Sequence, residues 1–275
     1  MLLLSAPFEP GAPAPPRQAP GRASAQIGGA VALLVAGGLG LQWLGARPAA
    51  LGHAVASGAI HGGLLALGWL VATGAAPGWT GPVVRLGAAL ILASVASRFA
   101  PWGPLAFLLM PVLLLVEARR APRLRAMGLG GARLSHALAG LALGAFLGAH
   151  LLVTASRTFG YRLQSSGLPG YLGDVAYDVG ANALSAEWLF RGAVFSFLWR
   201  RWAFWPAALL TTGLSVLRYL LDPALPHAVE ARVGAVFYLG LVGVVACALR
   251  AWSGSLVPGY LAALAFFAAY RMLAP

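Results

Sequence analysis

Long apolar segments, separated by short polar or basic stretches, follow one another along most of the sequence. A helix needs roughly 20 apolar residues to cross the hydrocarbon core of a bilayer. The candidate segments are Ile27–Ala46, Leu51–Ala75, Val83–Ala96, Pro104–Val116, Ser135–Ser156, Ala176–Trp199, Ala203–Leu221, Ala231–Leu249 and Ser255–Met272. We therefore predict an all-α, polytopic membrane helix bundle with about nine transmembrane helices, or eight if the third and fourth segments form one broken element.

The share of charged residues supports a membrane protein. Only 9% of the 275 residues are charged, whereas a soluble globular chain carries roughly 25%. The net charge of +12 arises from basic residues that lie mainly between and at the ends of apolar segments. That distribution fits topology determination and anionic headgroups, and we predict no nucleic-acid partner. Every basic residue is arginine, and alanine and glycine are abundant. This bias is typical of GC-rich coding and predicts a bacterial source.

The chain divides into four regions. Residues 1–26, rich in Pro, Ala and Gly, predict a disordered N-terminal tail. Residues 27–117 hold the N-terminal membrane helices, 118–134 form a basic loop, and 135–273 hold a membrane core.

The basic loop also predicts the orientation of the chain in a bacterial inner membrane. It contains Arg119, Arg120, Arg123, Arg125 and Arg133, and the positive-inside rule makes it cytoplasmic. Counting spans outward from this loop puts the N-terminus in the cytoplasm and the C-terminus in the periplasm.

Glu187 and Arg191 lie in the middle of the sixth apolar segment. A charge inside a span costs several kcal/mol unless it pairs, faces a cavity or takes part in chemistry. The i, i+4 spacing allows pairing. Two interpretations follow, a buried ion pair that fixes helix packing or a site at which Glu187 activates water. Arg218, in the next segment, either extends to the interface or contributes to such a site.

No metal or cofactor site is predicted. His53 and His61 are eight residues apart, whereas a metal site would place ligands closer or add carboxylates. The single cysteine, Cys247, excludes a disulfide framework or a thiolate cluster. Small-xxx-small patterns at Gly140, Gly144 and Gly148 predict close helix packing.

The run from Glu187 to Gly192, Glu-Trp-Leu-Phe-Arg-Gly, resembles the CAAX-processing and bacteriocin-processing (CPBP) family of intramembrane glutamic proteases, also called the abortive-infection type. The family's first motif is Glu-Glu-x-x-x-Arg, its second is Phe-x-x-x-His on the next helix, and its third is His-x-x-x-Asn or Asp on the last. The resemblance covers roughly residues 125–273. It implies a membrane helix bundle and an endopeptidase acting on membrane or lipidated peptides.

All three motifs lack the family's residue types at reactive positions. In register with Arg191, Ala186 stands where the resemblance places the water-activating Glu, and Arg218 stands in place of the second motif's His. The third motif falls on Ala263 and Phe267. Alanine accepts no proton, and arginine is not a base at neutral pH.

Glu187 and Arg191 are the surviving catalytic-motif residues, and His150 is the nearby histidine that would have to support Glu187 in a repacked site. We therefore predict a CPBP-family homologue that is a pseudoenzyme. It would bind, or help to process, membrane-anchored or lipidated peptides, either directly or through an active protease relative. Two alternatives stay open: an active intramembrane endopeptidase with an altered site using Glu187, and a transporter or channel component.

Overall fold

The computed structural model describes residues 21–73, 78–119, 125–129, 131–163, 167–220 and 228–274. These residues are helical apart from turns and one pair of two-residue strands. They divide into two compact units. The N-terminal unit holds the described residues up to Arg125 together with Leu172–Leu189, and the C-terminal unit holds those of Ala126–Tyr171 and Phe190–Pro275.

The N-terminal unit begins with four helices. They are α1 (Gly21–Gly40), α2 (Ala46–Thr73), α3 (Thr80–Phe99) and α4 (Met110–Arg119). Helix α2 packs against both α1 and α3, and a 3₁₀ turn at Gly103–Leu109 precedes α4. The first helix starts before the predicted Ile27, because Ala23, Ala25 and Gln26 are good helix formers. Residues 1–20 of the predicted tail lie outside the described residues.

Helix α3 is longer than the predicted segment Val83–Ala96, and its extra turns hold Arg98 near the C-terminal end. Arg85, also in α3, pairs with Glu117 of α4, with Nε–Oε1 and Nη2–Oε2 distances of 2.7 and 2.8 Å. Two parallel hydrogen bonds of this kind are the strongest geometry for an arginine–carboxylate pair. The sequence interpretation did not identify this ion pair.

Between α4 and α5 the described part of the basic loop forms one short turn, Arg125–Leu129, in which Gly128 has a φ of 94°. The C-terminal unit then contains α5 (Leu134–Phe159), α9 (Phe204–Leu220), α10 (Val229–Ser253) and α11 (Val257–Tyr270). Helix α5 packs along α11, and α10 packs against α5, α9 and α11. Strands β1 (Arg162–Leu163) and β2 (Leu273–Ala274) pair antiparallel.

The small-residue stripe of α5 allows close contact with α11. It consists of Gly140, Gly144 and Gly148, all buried. A Cβ atom at Gly140 would collide with the backbone of Pro258, and one at Gly144 with the backbone of Ala262. The predicted packing role of these glycines is therefore confirmed, because only a residue without a side chain permits this approach.

The predicted segment Ala176–Trp199 is helical throughout but not uniformly α-helical. Helices α6 (Gly167–Tyr177), α7 (Ala183–Ala186) and α8 (Ser196–Trp199) alternate with π-helical turns at Asp178–Asn182 and Glu187–Phe195. In a π-helix the backbone hydrogen bonds join residues five apart, and such turns occur frequently at functional sites.

Five helices within the described residues are long and apolar enough to cross a membrane. They contain Ala23–Gly40, Ala46–Thr73, Thr80–Phe99, Leu134–Phe159 and Val229–Ser253, and α11 is a shorter apolar helix. Large apolar side chains such as Leu92 and Phe146 are exposed on the helix surfaces, as expected for groups that face lipid rather than water. The all-α class and the membrane helix bundle are thus confirmed.

Candidate functional site

Ala186 and Glu187 lie at the junction of α7 and the second π-helical turn, and their side chains are buried, at 2% and 4% exposure. The position assigned to the water-activating Glu thus holds a methyl group. The sequence interpretation placed Glu187 about 100° around an α-helix from that position. Glu187 begins a π-helical turn. The value of 100° per residue holds for an α-helix and does not apply to the residues of this turn.

Arg191 is held in the C-terminal unit. Its Nη1 donates to the Oγ of Ser215 on α9 at 3.1 Å, and its side chain is buried. Ser196 donates to the carbonyl of Arg191 at 3.3 Å, a contact across five residues that matches the π-helical turn. Gly243 on α10 leaves room for the guanidinium, since a Cβ there would lie 2.7 Å from Nη2.

Arg218 is half-buried near the end of α9, with its guanidinium carbon 4.3 Å from the ring centroid of Tyr219. This distance is within the range of a cation–π interaction. The Tyr219 ring in turn lies 5.7 Å from that of Phe267. Arg218 therefore lies beside an aromatic group.

The third-motif positions lie in apolar packing. Ala263 and Phe267 are buried, at 2% and 6% exposure, and Phe267 contacts the rings of Phe266 and Tyr219. Neither side chain can donate or accept a hydrogen bond. These two positions can neither orient a water molecule nor stabilise an oxyanion.

His150 bonds within the C-terminal unit. Its Nδ1 lies 2.8 Å from the hydroxyl of Tyr238 on α10 and 3.4 Å from the Oγ1 of Thr154. The sequence interpretation named His150 as the histidine that would support Glu187, and Tyr238 was not anticipated as its partner.

A chain of buried polar groups in the N-terminal unit was also not anticipated. The Nδ1 of His61 lies 2.8 Å from the Oγ of Ser185, and its Nε2 lies 2.7 Å from the hydroxyl of Tyr177. Ser185 donates to the carbonyl of Asn182 at 3.4 Å. One consistent direction has Tyr177 donating to Nε2 and Nδ1–H donating to Ser185.

In that tautomer Nδ1 holds a proton and accepts none from Ser185, and the hydrogen bonds join α2 to the segment that contains α6 and α7. A second hydrogen bond joins the amide of Asn182 to the carboxylate of Asp178 at 2.9 Å, and both residues are buried. One sequence signal could have revealed this cluster, because a histidine inside an apolar span requires a polar partner.

Outside the spans, burial lowers the pKa of the Arg200 guanidinium, and Arg200 directly follows α8.

Among the described residues, no group of three or more His, Cys, Asp and Glu side chains is arranged to hold a metal ion.

The fold and these groups define a polytopic membrane helix bundle with ionisable residues buried in its helical segments. Residues 169–267 match the family model described as type II CAAX prenyl endopeptidase Rce1-like. The match supports membership of the CPBP family and confirms the resemblance noted at the run from Glu187 to Gly192. Comparison with curated proteins gives no match, and neither does comparison with solved structures.

Proposed function

We propose that the chain is a catalytically inactive CPBP homologue of the bacterial inner membrane that binds membrane-anchored or lipidated peptides. The observation that carries the proposal is the apolar packing of Ala263 and Phe267, at the positions where the family has polar side chains.

Peptide hydrolysis by activated water needs a base to deprotonate the water and donors to stabilise the oxyanion. Ala186 supplies no base, because its side chain is a methyl group. Arg218 lies against Tyr219, and a guanidinium does not serve as a general base. These features together support loss of the hydrolytic step.

Binding is the part of the family's activity that the remaining structure still supports. The family model spans α6 to most of α11 and is named for an endopeptidase that acts on prenylated CAAX sequences. The described helices of this region are all formed, and we propose that they bind the peptide without the reactive groups. The chain would bind the peptide directly or in a complex with an active protease of the same family.

The test uses the purified full chain in liposomes with a fluorescent farnesylated peptide and with a peptide that spans the membrane. We expect saturable binding of at least one peptide and no cleavage above the level of a Glu187→Gln variant. Cleavage that disappears in Glu187→Gln would show an active protease and overturn the inactive assignment. Absence of binding to both peptides would overturn the binding role.

A further inference from the structure

Four buried polar side chains of the C-terminal unit form one group, three on the same helix and the fourth hydrogen-bonded to one of them. They are Arg191, Thr211, Thr212 and Ser215, exposed by 3%, 0%, 5% and 3%. The three hydroxyl residues share one face of α9, because residues three and four apart are neighbours on a helix. Arg191 joins this face through its hydrogen bond to Ser215.

The hydroxyls of Thr211 and Thr212 have no hydrogen-bond partner within the part of the chain that the structure describes. A buried threonine in a helix ordinarily bonds the carbonyl four residues earlier, as Thr73 does with Trp69 at 3.0 Å. Burying a hydroxyl without a partner costs free energy, whereas valine has the same shape and avoids the cost. Two adjacent threonines that carry this cost among the described residues point to a bound hydrogen-bond acceptor.

The geometry around Gly243 brings one of these hydroxyls and the guanidinium together. The position that a Cβ atom would take at Gly243 lies 2.9 Å from the Oγ1 of Thr212 and 2.7 Å from the Nη2 of Arg191. Both groups therefore reach the same side of α10. Hydroxyls that donate beside a guanidinium favour an anion that accepts hydrogen bonds, and a planar carboxylate is the usual arginine partner.

We propose that Arg191, Thr211, Thr212 and Ser215 bind a carboxylate, and that this is the C-terminal carboxylate of the peptide. The identity of the ligand rests on the proposed peptide-binding function. A free fatty acid carries the same chemical group, and the experiment separates these two sources.

The experiment compares the full chain in nanodiscs with one farnesylated peptide prepared either as the C-terminal acid or as the C-terminal amide. The acid is expected to bind about 10-fold more tightly than the amide, as loss of a hydrogen bond to a charged group implies. Thr211→Val and Thr212→Val are each expected to weaken binding of the acid by about 10-fold and to leave binding of the amide unchanged.

Thermal unfolding without peptide separates binding from a structural role. Both valine variants are expected to unfold at or above the temperature of the parent chain, because valine removes a hydroxyl that has no partner among the described residues. Ser94→Ala is the matched control, since Ser94 is a buried hydroxyl without a partner in the described N-terminal unit. It is expected to change neither peptide's affinity.

Equal binding of acid and amide would overturn the carboxylate site and leave the proposed function intact. Failure of both farnesylated peptides to bind, together with no binding of the membrane-spanning peptide, would overturn the proposed function itself. Oleate, a free fatty acid, tests the other source of a carboxylate. Oleate binding that Thr212→Val weakens, together with equal binding of the two peptides, would overturn the assignment to a peptide terminus.

Discussion

Both ring nitrogens of a histidine in an apolar helix need hydrogen-bond partners, because no water is available there. His61 has a partner at each nitrogen. Tyr177 and Ser185 supply them, and the indole N–H of Trp188 similarly donates to the carbonyl of Leu65 at 3.0 Å. An unsatisfied polar group in hydrocarbon costs several kcal/mol. Such contacts therefore stabilise α2 against the segment that contains α6 and α7.

A double-mutant cycle tests this link. His61→Leu and Ser185→Ala are each expected to lower the free energy of unfolding, and the pair to show a coupling of about 0.5–3 kcal/mol. The coupling arises because either change removes the same hydrogen bond. The measurement is SDS-induced unfolding in mixed micelles. His61→Leu combined with Ser94→Ala serves as the additive control, and strict additivity for Ser185→Ala would contradict the link.

For individual residues, the sequence was enough to predict the members of a short motif but not the distant residues that they contact. Glu187 and Arg191 stand out because two charges interrupt one apolar run. The partners of His61 lie 116 and 124 residues away in the sequence, and no local pattern specifies such a contact. The hydroxyls of Thr211 and Thr212, which have no partner among the described residues, were likewise not evident, because threonine is an ordinary residue in an apolar helix.

The helices themselves were predictable because length and hydropathy are local properties. A helix occupies each predicted apolar segment, although α1, α2, α3 and α6 begin earlier than expected. The π-helical turns at Asp178–Asn182 and Glu187–Phe195 were not predictable in this way. A shift of the backbone hydrogen bonds by one residue leaves composition and hydropathy unchanged.

The close contact between α5 and α11 predicts how substitutions of its glycines change the stability of the fold. Gly144→Ala is expected to destabilise the fold by about 1–3 kcal/mol, because the added methyl group meets the backbone of Ala262. Gly213→Ala in α9 is the control, because no atom of the described residues lies within 4 Å of its Cβ position. Alanine favours helix formation at both sites, so a lower stability of Gly144→Ala alone reports the close contact. Equal stability of the two variants would contradict it.

For the whole molecule, the arginines between apolar segments lead us to propose that the α4–α5 loop is cytoplasmic and the C-terminus periplasmic. The described loop residues Arg119 and Arg133 flank the ends of these two helices, and Arg200 and Arg201 follow α8. Cytoplasmic loops carry the excess of basic residues.

Reporter fusions in a Gram-negative host check this orientation. Alkaline phosphatase at the C-terminus is expected to be active, and green fluorescent protein there to be dark, because each folds on one side of the membrane. The same reporters inserted into the α4–α5 loop should give the opposite result. Fluorescence at the C-terminus would mean that the number of spans after this loop is even or that the loop is periplasmic.

Cys247, the single cysteine among 275 residues, is fully buried in a cluster with Phe195, Phe204 and Ala207. Thiol reagents require access to the sulfur, so the folded chain presents no reactive thiol from this residue at its surface. A cysteine placed anywhere on the exterior can be labelled without altering the native sequence elsewhere. When the cluster of α8, α9 and α10 opens, Cys247 itself becomes reactive, and the rate of its modification measures how often that opening occurs.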